Sequence, residues 1–165
     1  MTYEQLIYKL EDEKKLEISD HDYAIKLLNV SKEFEYVHEG MLVQMLDLLA
    51  RVRNVCAHNE RLFDYTYQKG TIDDTYVHNA LAIEKKKGQY IKGKNDLFAV
   101  VIVLKYLLSE EVFSSFVQEL EKITEQLFLD TRVIEKLQLY KYMGFTENWF
   151  DIDACAKTGE KKICE

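Results

Sequence analysis

The chain has 165 residues, with 22 Lys and Arg against 29 Asp and Glu, a net charge of −7 and 47% hydrophobic residues. That composition suits one folded domain rather than a disordered tail, and at this length roughly two-thirds of the unfolded surface is buried without a disulfide or metal staple. The acidic balance gives no long-range pull on phosphate, which argues against general duplex DNA binding but leaves room for a local basic contact to RNA.

With no Pro and six Gly, the chain has few breakers, and an all-α bundle of about five to six helices is expected rather than a sandwich or barrel rich in tight turns. Cys56, Cys155 and Cys164 form no CxxC pair, and the odd count without a secretory signal points to a reducing, cytoplasmic setting. The longest apolar run, residues 97–108, is interrupted by Lys105 and falls short of the roughly 20 residues a bilayer crossing requires, so no membrane association is expected.

In chain order, Tyr3, Leu6, Ile7, Leu10 and Leu16 place an apolar stripe on a helix over residues 2–16. Ser19 and Asp20 are caps for a second helix, whose stripe of Tyr23, Leu27, Val30, Phe34 and Val37 ends near Gly40. Leu42, Met45, Leu46, Leu49, Val52, Cys56 and Phe63 extend a third helix from Met41 to about Phe63. Periodicity is then lost over residues 64–95, read as a long loop punctuated by Gly70, Gly88 and Gly93. Its lysines, Lys85, Lys86, Lys87, Lys92 and Lys94, form a solvated face or a nucleic-acid contact. Asn95 then caps a buried helix over residues 97–108. Ser109 caps another, with Val112, Phe116, Leu120, Ile123 and Leu127 as its stripe. Asp130 starts a last short helix that Gly144 ends in a left-handed conformation, so that Phe145 and Trp149 pack back. The expected organisation is one helical domain over residues 1–153 and a disordered tail over 154–165.

Several chemistries find no support. GQYIKGKN matches the GxxxxGK spacing of a phosphate-binding loop, but Asn95 stands where a magnesium-binding Ser or Thr belongs and no buried strand precedes it. His21, His38, His58 and His78 form no HxxxH or HExxH pair, so no metal and no cofactor is expected. Cys56 lies on the apolar stripe, the setting of a buried inert thiol rather than a nucleophile.

The unusual segment is RVRNVCAHNER, residues 51–61. Asn54, His58 and Arg61 stand at i, i+4 and i+7, one face of the expected helix, and the long side chain of Arg53 reaches the same end. Cations around one imidazole disfavour imidazolium, so His58 is expected to be largely neutral near pH 7 and able to accept a proton. Spacing alone favours a plainer account, in which Asn54 and His58 satisfy hydrogen bonds at a packing seam and the arginines pair with acids.

The order of residues shifts that balance. RNVCAHNERLFDY resembles the RNxCAHxxRLxN core of the abortive infection (Abi) family of the HEPN superfamily, whose signature is Arg, four to six residues, then His. Arg53, Asn54 and His58 fill it, Cys56, Ala57, Arg61 and Leu62 flank it, and residues 143–149, MGFTENW, are similar to the family's closing GFPxNW. The resemblance spans residues 20–149 and is to the C-terminal part of larger relatives, which carry a substantial segment ahead of it. Phe63, Asp64 and Thr146 depart from the usual Trp, Asn and Pro without touching the Arg or the His.

The resemblance implies a HEPN-like bundle and a homodimer in which both RxxxxH motifs line one cleft and cut RNA without metal. It makes His58 the general base or acid, Arg53 the stabiliser of the phosphorane and Asn54 the group that orients either. Asn59 and Arg61 become RNA contacts, although an ion pair at a helix end accounts for Arg61 equally well. An exposed apolar strip on the third helix would support the dimer. The setting implied is phage defence or a toxin–antitoxin pair, silenced by an antitoxin RNA or protein. The alternative, slightly favoured by the acidic charge, is a catalytically silent HEPN domain that binds RNA or a partner protein.

Overall fold

Six α-helices run through residues 20–68, 70–131 and 135–158, which the structure, a computed structural model, describes; the chain is all-α, with one minimal hairpin. The helix expected over residues 2–16, the Ser19 cap and residues 159–165 of the expected tail lie outside the described residues.

Helix α1 (Asp20–Ser31) stops well before Gly40. Tyr36 takes a positive φ of 67°, and His38 caps the next helix, its Nδ1 accepting the Met41 amide at 3.3 Å. Gly40 therefore lies in the first turn of α2 (Glu39–Ala57) rather than ending a helix. The inner side of α2 buries Leu42, Met45, Leu48, Leu49, Val52 and Val55. Its stripe ends on Val55; Cys56, one step round the helix, is exposed rather than buried.

The described residues of 64–95 are mostly irregular, as the lost periodicity implied, but they are not structureless. They contain α3 (Tyr76–Ala80) and a hairpin of β1 (Lys85–Lys86) and β2 (Gln89–Tyr90), antiparallel, with Lys85 opposite Tyr90 and Lys86 opposite Gln89. Lys87 and Gly88 turn the hairpin with φ of 53° and 82°, the pair of positive values that matches strand twist in a two-residue turn. Three long-range ties hold the segment down. The Tyr67 amide donates to the Asn95 carbonyl at 2.6 Å, the Ile72 amide to the Lys94 carbonyl at 2.9 Å, and Lys92 Nζ to the Phe145 carbonyl at 2.6 Å.

The apolar run becomes α4 (Leu97–Leu107), capped by Asp96 rather than Asn95: the carboxylate accepts the Ala99 amide at 2.9 Å. Phe98, Ala99, Val101, Ile102 and Val103 are buried, as expected of a helix enclosed on most sides, and α4 packs against α2 and α5. Ser109 Oγ accepts the Val112 amide at 3.4 Å at the start of α5 (Glu110–Thr131). The buried side of α5 is Phe113, Val117 and Thr124, one position round from the expected stripe, while Val112, Ile123 and Leu127 are exposed. Since α5 runs to Thr131, Asp130 starts no helix; α6 is Lys136–Met143. Gly144 closes α6 at φ 77°, and Phe145 and Trp149 pack back with ring centroids 4.9 Å apart, ahead of a 3-10 turn at Trp149–Ile152. Residues 154–158 continue over α4, where Tyr106 Oη donates to the Lys157 carbonyl at 2.9 Å. No helix among the described residues is long and apolar enough to cross a membrane.

Candidate functional site

The expected site lies where α2 ends. Arg53 and Asn54 occupy its last turns, and His58 is the C-cap, its amide bonded to the Asn54 carbonyl at 3.0 Å. Asn59 then takes a left-handed φ of 53°. Its amide donates to the Cys56 carbonyl at 3.1 Å and that of Glu60 to the Val55 carbonyl at 3.0 Å. This is the Schellman pair of bonds, which satisfies the last carbonyls and stops the helix. The helix consequently ends at Ala57 rather than Phe63, because Asn tolerates the left-handed region better than any other residue except Gly. The signal was local and legible: an Asn just beyond an apolar stripe.

Ending the helix there divides the expected site. Asn54 and His58, at i and i+4, remain together at the helix end. Arg61 lies beyond it and does not continue their face. Its guanidinium meets Asp64 through two nitrogens, Nε to Oδ1 at 2.9 Å and Nη2 to Oδ2 at 2.5 Å, and covers the Phe63 ring at 5.2 Å. Arg53, Asn54, His58, Asn59 and Arg61 are all exposed. No hydrogen bond holds the imidazole of His58 among the described residues, so both its nitrogens face solvent or whatever docks there.

Arg51, which opens the singled-out segment, extends this face, and the sequence reading passed over its two neighbours, Asp47 and Tyr67. Arg51 stands at i−3 from Asn54 and i−7 from His58, so helical geometry places it on their side. Its Nε is 3.5 Å from Asp47, and its guanidinium lies 5.7 Å from the Tyr67 ring. Tyr67 Oη donates to the same Asp47 carboxylate, and that bond, with burial, raises the phenol above its ordinary range. The i, i+4 spacing of Asp47 and Arg51 was the available sequence signal. Beside this trio, Val43, Gln44, Asp47, Tyr67, Ile72 and Lys94 line a cavity of about 230 Å³. The outer side of α2 carries one exposed large apolar side chain, Val43, instead of an apolar strip.

The phosphate-loop look-alike is also resolved. Gly93 approaches His78 and Ile102 closely, and Lys94 Nζ pairs with Asp74 at 2.6 Å, so both serve packing. Among the described residues no cluster of His, Cys, Asp and Glu is arranged to hold a metal ion. Comparison of the chain with protein-family models, curated proteins and solved structures finds no match.

Proposed function

We propose that this chain is a metal-independent endoribonuclease of the HEPN kind, of the Abi family, acting as a homodimer in phage defence or a toxin–antitoxin pair. The observation that carries this reading is the common placement of Arg53, Asn54 and His58 at one exposed helix end, closed by the turn at Asn59.

The chemistry follows from the groups. An imidazole of His58 takes the proton of a ribose 2′-hydroxyl, the oxygen bonds to phosphorus, and the bond from phosphorus to the 5′-oxygen breaks. The leaving oxygen needs a proton at the same time. Among the described residues one chain brings one imidazole to this helix end, so a second copy supplies the acid, and a site exposed on one chain becomes a cleft when two are apposed. Arg53, permanently charged, stabilises the charge on the phosphorane oxygens, and Asn54 orients the imidazole or the phosphate. The products are a 2′,3′-cyclic phosphate and a 5′-hydroxyl.

The test is cleavage of total RNA and tRNA in excess EDTA by the wild type and by His58→Ala, with product ends mapped. Cyclic-phosphate ends that disappear in the variant are expected. A folded, dimeric wild type that leaves RNA intact would reject the nuclease in favour of a silent HEPN domain that binds RNA or a partner protein.

A further inference from the structure

Residues 84–94 hold five lysines and one glutamate in a chain of net charge −7. The structure divides these lysines by use. Lys92 is spent on the Phe145 carbonyl at 2.6 Å and Lys94 on Asp74 at 2.6 Å. Lys85 lies over the Tyr90 ring at 4.1 Å, and that ring stacks on buried His78 with centroids 4.8 Å apart. Lys86 and Lys87 remain, exposed at the end of the hairpin and paired with no carboxylate among the described residues.

Two features argue that these charges do more than keep the surface solvated. Lys87 sits at φ 53° in a two-residue turn, a position where Asn, Asp or Gly is favoured and a lysine costs about 1 kcal/mol. Protection of a bare strand edge does not account for it, because strands of two residues offer almost no edge to pair with. The hairpin backbone is also held against the body by the Tyr90–His78 stack, and its base is closed by the Ile91 amide donating to the Glu84 carbonyl at 3.1 Å.

We infer that the β1–β2 hairpin is a contact for the phosphate backbone of single-stranded RNA, made by Lys86 and Lys87. Gln89 lies opposite Lys86 and adds an amide that can bond a base or ribose. Asp73, Asp74, Gln89, Tyr90, Lys94 and Asn95 help line a polar cavity of about 520 Å³ beside the hairpin; with Lys94 paired to Asp74 it suits the uncharged base or ribose of a nucleotide whose phosphates stay on Lys86 and Lys87. That cavity shares Thr71, Ile72 and Lys94 with the cavity against α2, which meets the helix at Val43, Gln44 and Asp47, about three turns before His58. The inference rests on reading RNA as the substrate, but not on cleavage.

Binding is tested with a fluorescein-labelled single-stranded RNA of about 20 nucleotides, titrated in EDTA against His58→Ala and against His58→Ala carrying Lys86→Gln and Lys87→Asn. Asparagine suits the left-handed position, so the lysine variant should melt no lower than its parent. Its affinity at about 50 mM salt should fall roughly tenfold, and the slope of log affinity against log salt should lessen by about 1.4, the contribution of two phosphates. Equal affinity and slope overturn the proposal. So does failure of the parent to bind RNA, including the case in which it binds phosphatidylserine vesicles through the same lysines. Cleavage by the wild type with lysine-independent binding removes the hairpin's role and leaves the nuclease; lysine-dependent binding without cleavage does the reverse.

Discussion

His78 and Asp96 grip Gly93 from opposite sides. The Thr75 amide donates to His78 Nδ1 at 3.0 Å, which fixes the ring proton on Nε2, and Nε2 donates to the Gly93 carbonyl at 2.8 Å. The Gly93 amide in turn donates to both oxygens of Asp96, at 3.1 and 3.0 Å, while Asp96 caps α4. One glycine thus fastens the 64–95 segment to the helix at the centre of the core.

Both groups titrate abnormally, with opposite consequences for stability. Burial lowers the His78 pKa below 6.5, so below that pH the unfolded chain takes up the proton first and stability falls as pH falls. Burial raises Asp96 from 3.8 to about 6, so between those values the folded chain takes up the proton first and stability rises as pH falls. The two oppose each other below about pH 6. Asp96→Asn keeps the cap and removes one side of this balance. Urea unfolding of the variant between pH 5 and 8 should show stability falling as pH drops below 6.5, more steeply than in a flatter wild type.

Gly93 and Gly88 both have positive φ, at 72° and 82°, but only one is crowded. A Cβ on Gly93 would stand 2.7 Å from Ile102 Cδ1 and 3.2 Å from His78 Nε2, whereas one on Gly88 meets nothing within 4 Å. Gly88→Ala should cost about 1 kcal/mol through the backbone alone, and Gly93→Ala about 3 kcal/mol. Chemical denaturation of both variants checks the contrast, and equal losses would mean that crowding at Gly93 is relieved by movement of Ile102.

Asn59 carries the turn that ends α2, a role separable from any contact with RNA. Asn59→Gly should keep or slightly raise stability, and Asn59→Val should lose about 1–2 kcal/mol and loosen the turn bearing His58. RNA cleavage then assigns the amide. Activity retained in Asn59→Gly limits Asn59 to shaping the helix end, and activity lost at unchanged stability makes it an RNA contact.

Among the described residues, Thr146 Oγ1 is buried without a hydrogen-bond partner, as is Trp149 Nε1. Thr146→Val replaces the hydroxyl by a methyl of similar shape and should stabilise the chain by about 1 kcal/mol, read from the urea midpoint. A loss instead would show that the hydroxyl is satisfied in solution.

The sequence by itself determined the helical class, the reading of residues 97–108 as a buried helix and the stop at Gly144. Each depends on spacing or on a residue's own backbone preference, which neighbouring positions carry. It also singled out Arg53, Asn54 and His58 as candidates, through the order of residues in one short segment. Tertiary structure alone decided how the irregular 64–95 segment is fastened, since Lys92 reaches Phe145 across 53 residues and His78 reaches Gly93 within the segment. It likewise decided which side of α5 is buried, and that Asp96 rather than Asn95 caps α4. Periodicity gives a helix its apolar phase only to within a residue or so, and packing against the particular neighbours on α4 chooses Phe113 over Val112.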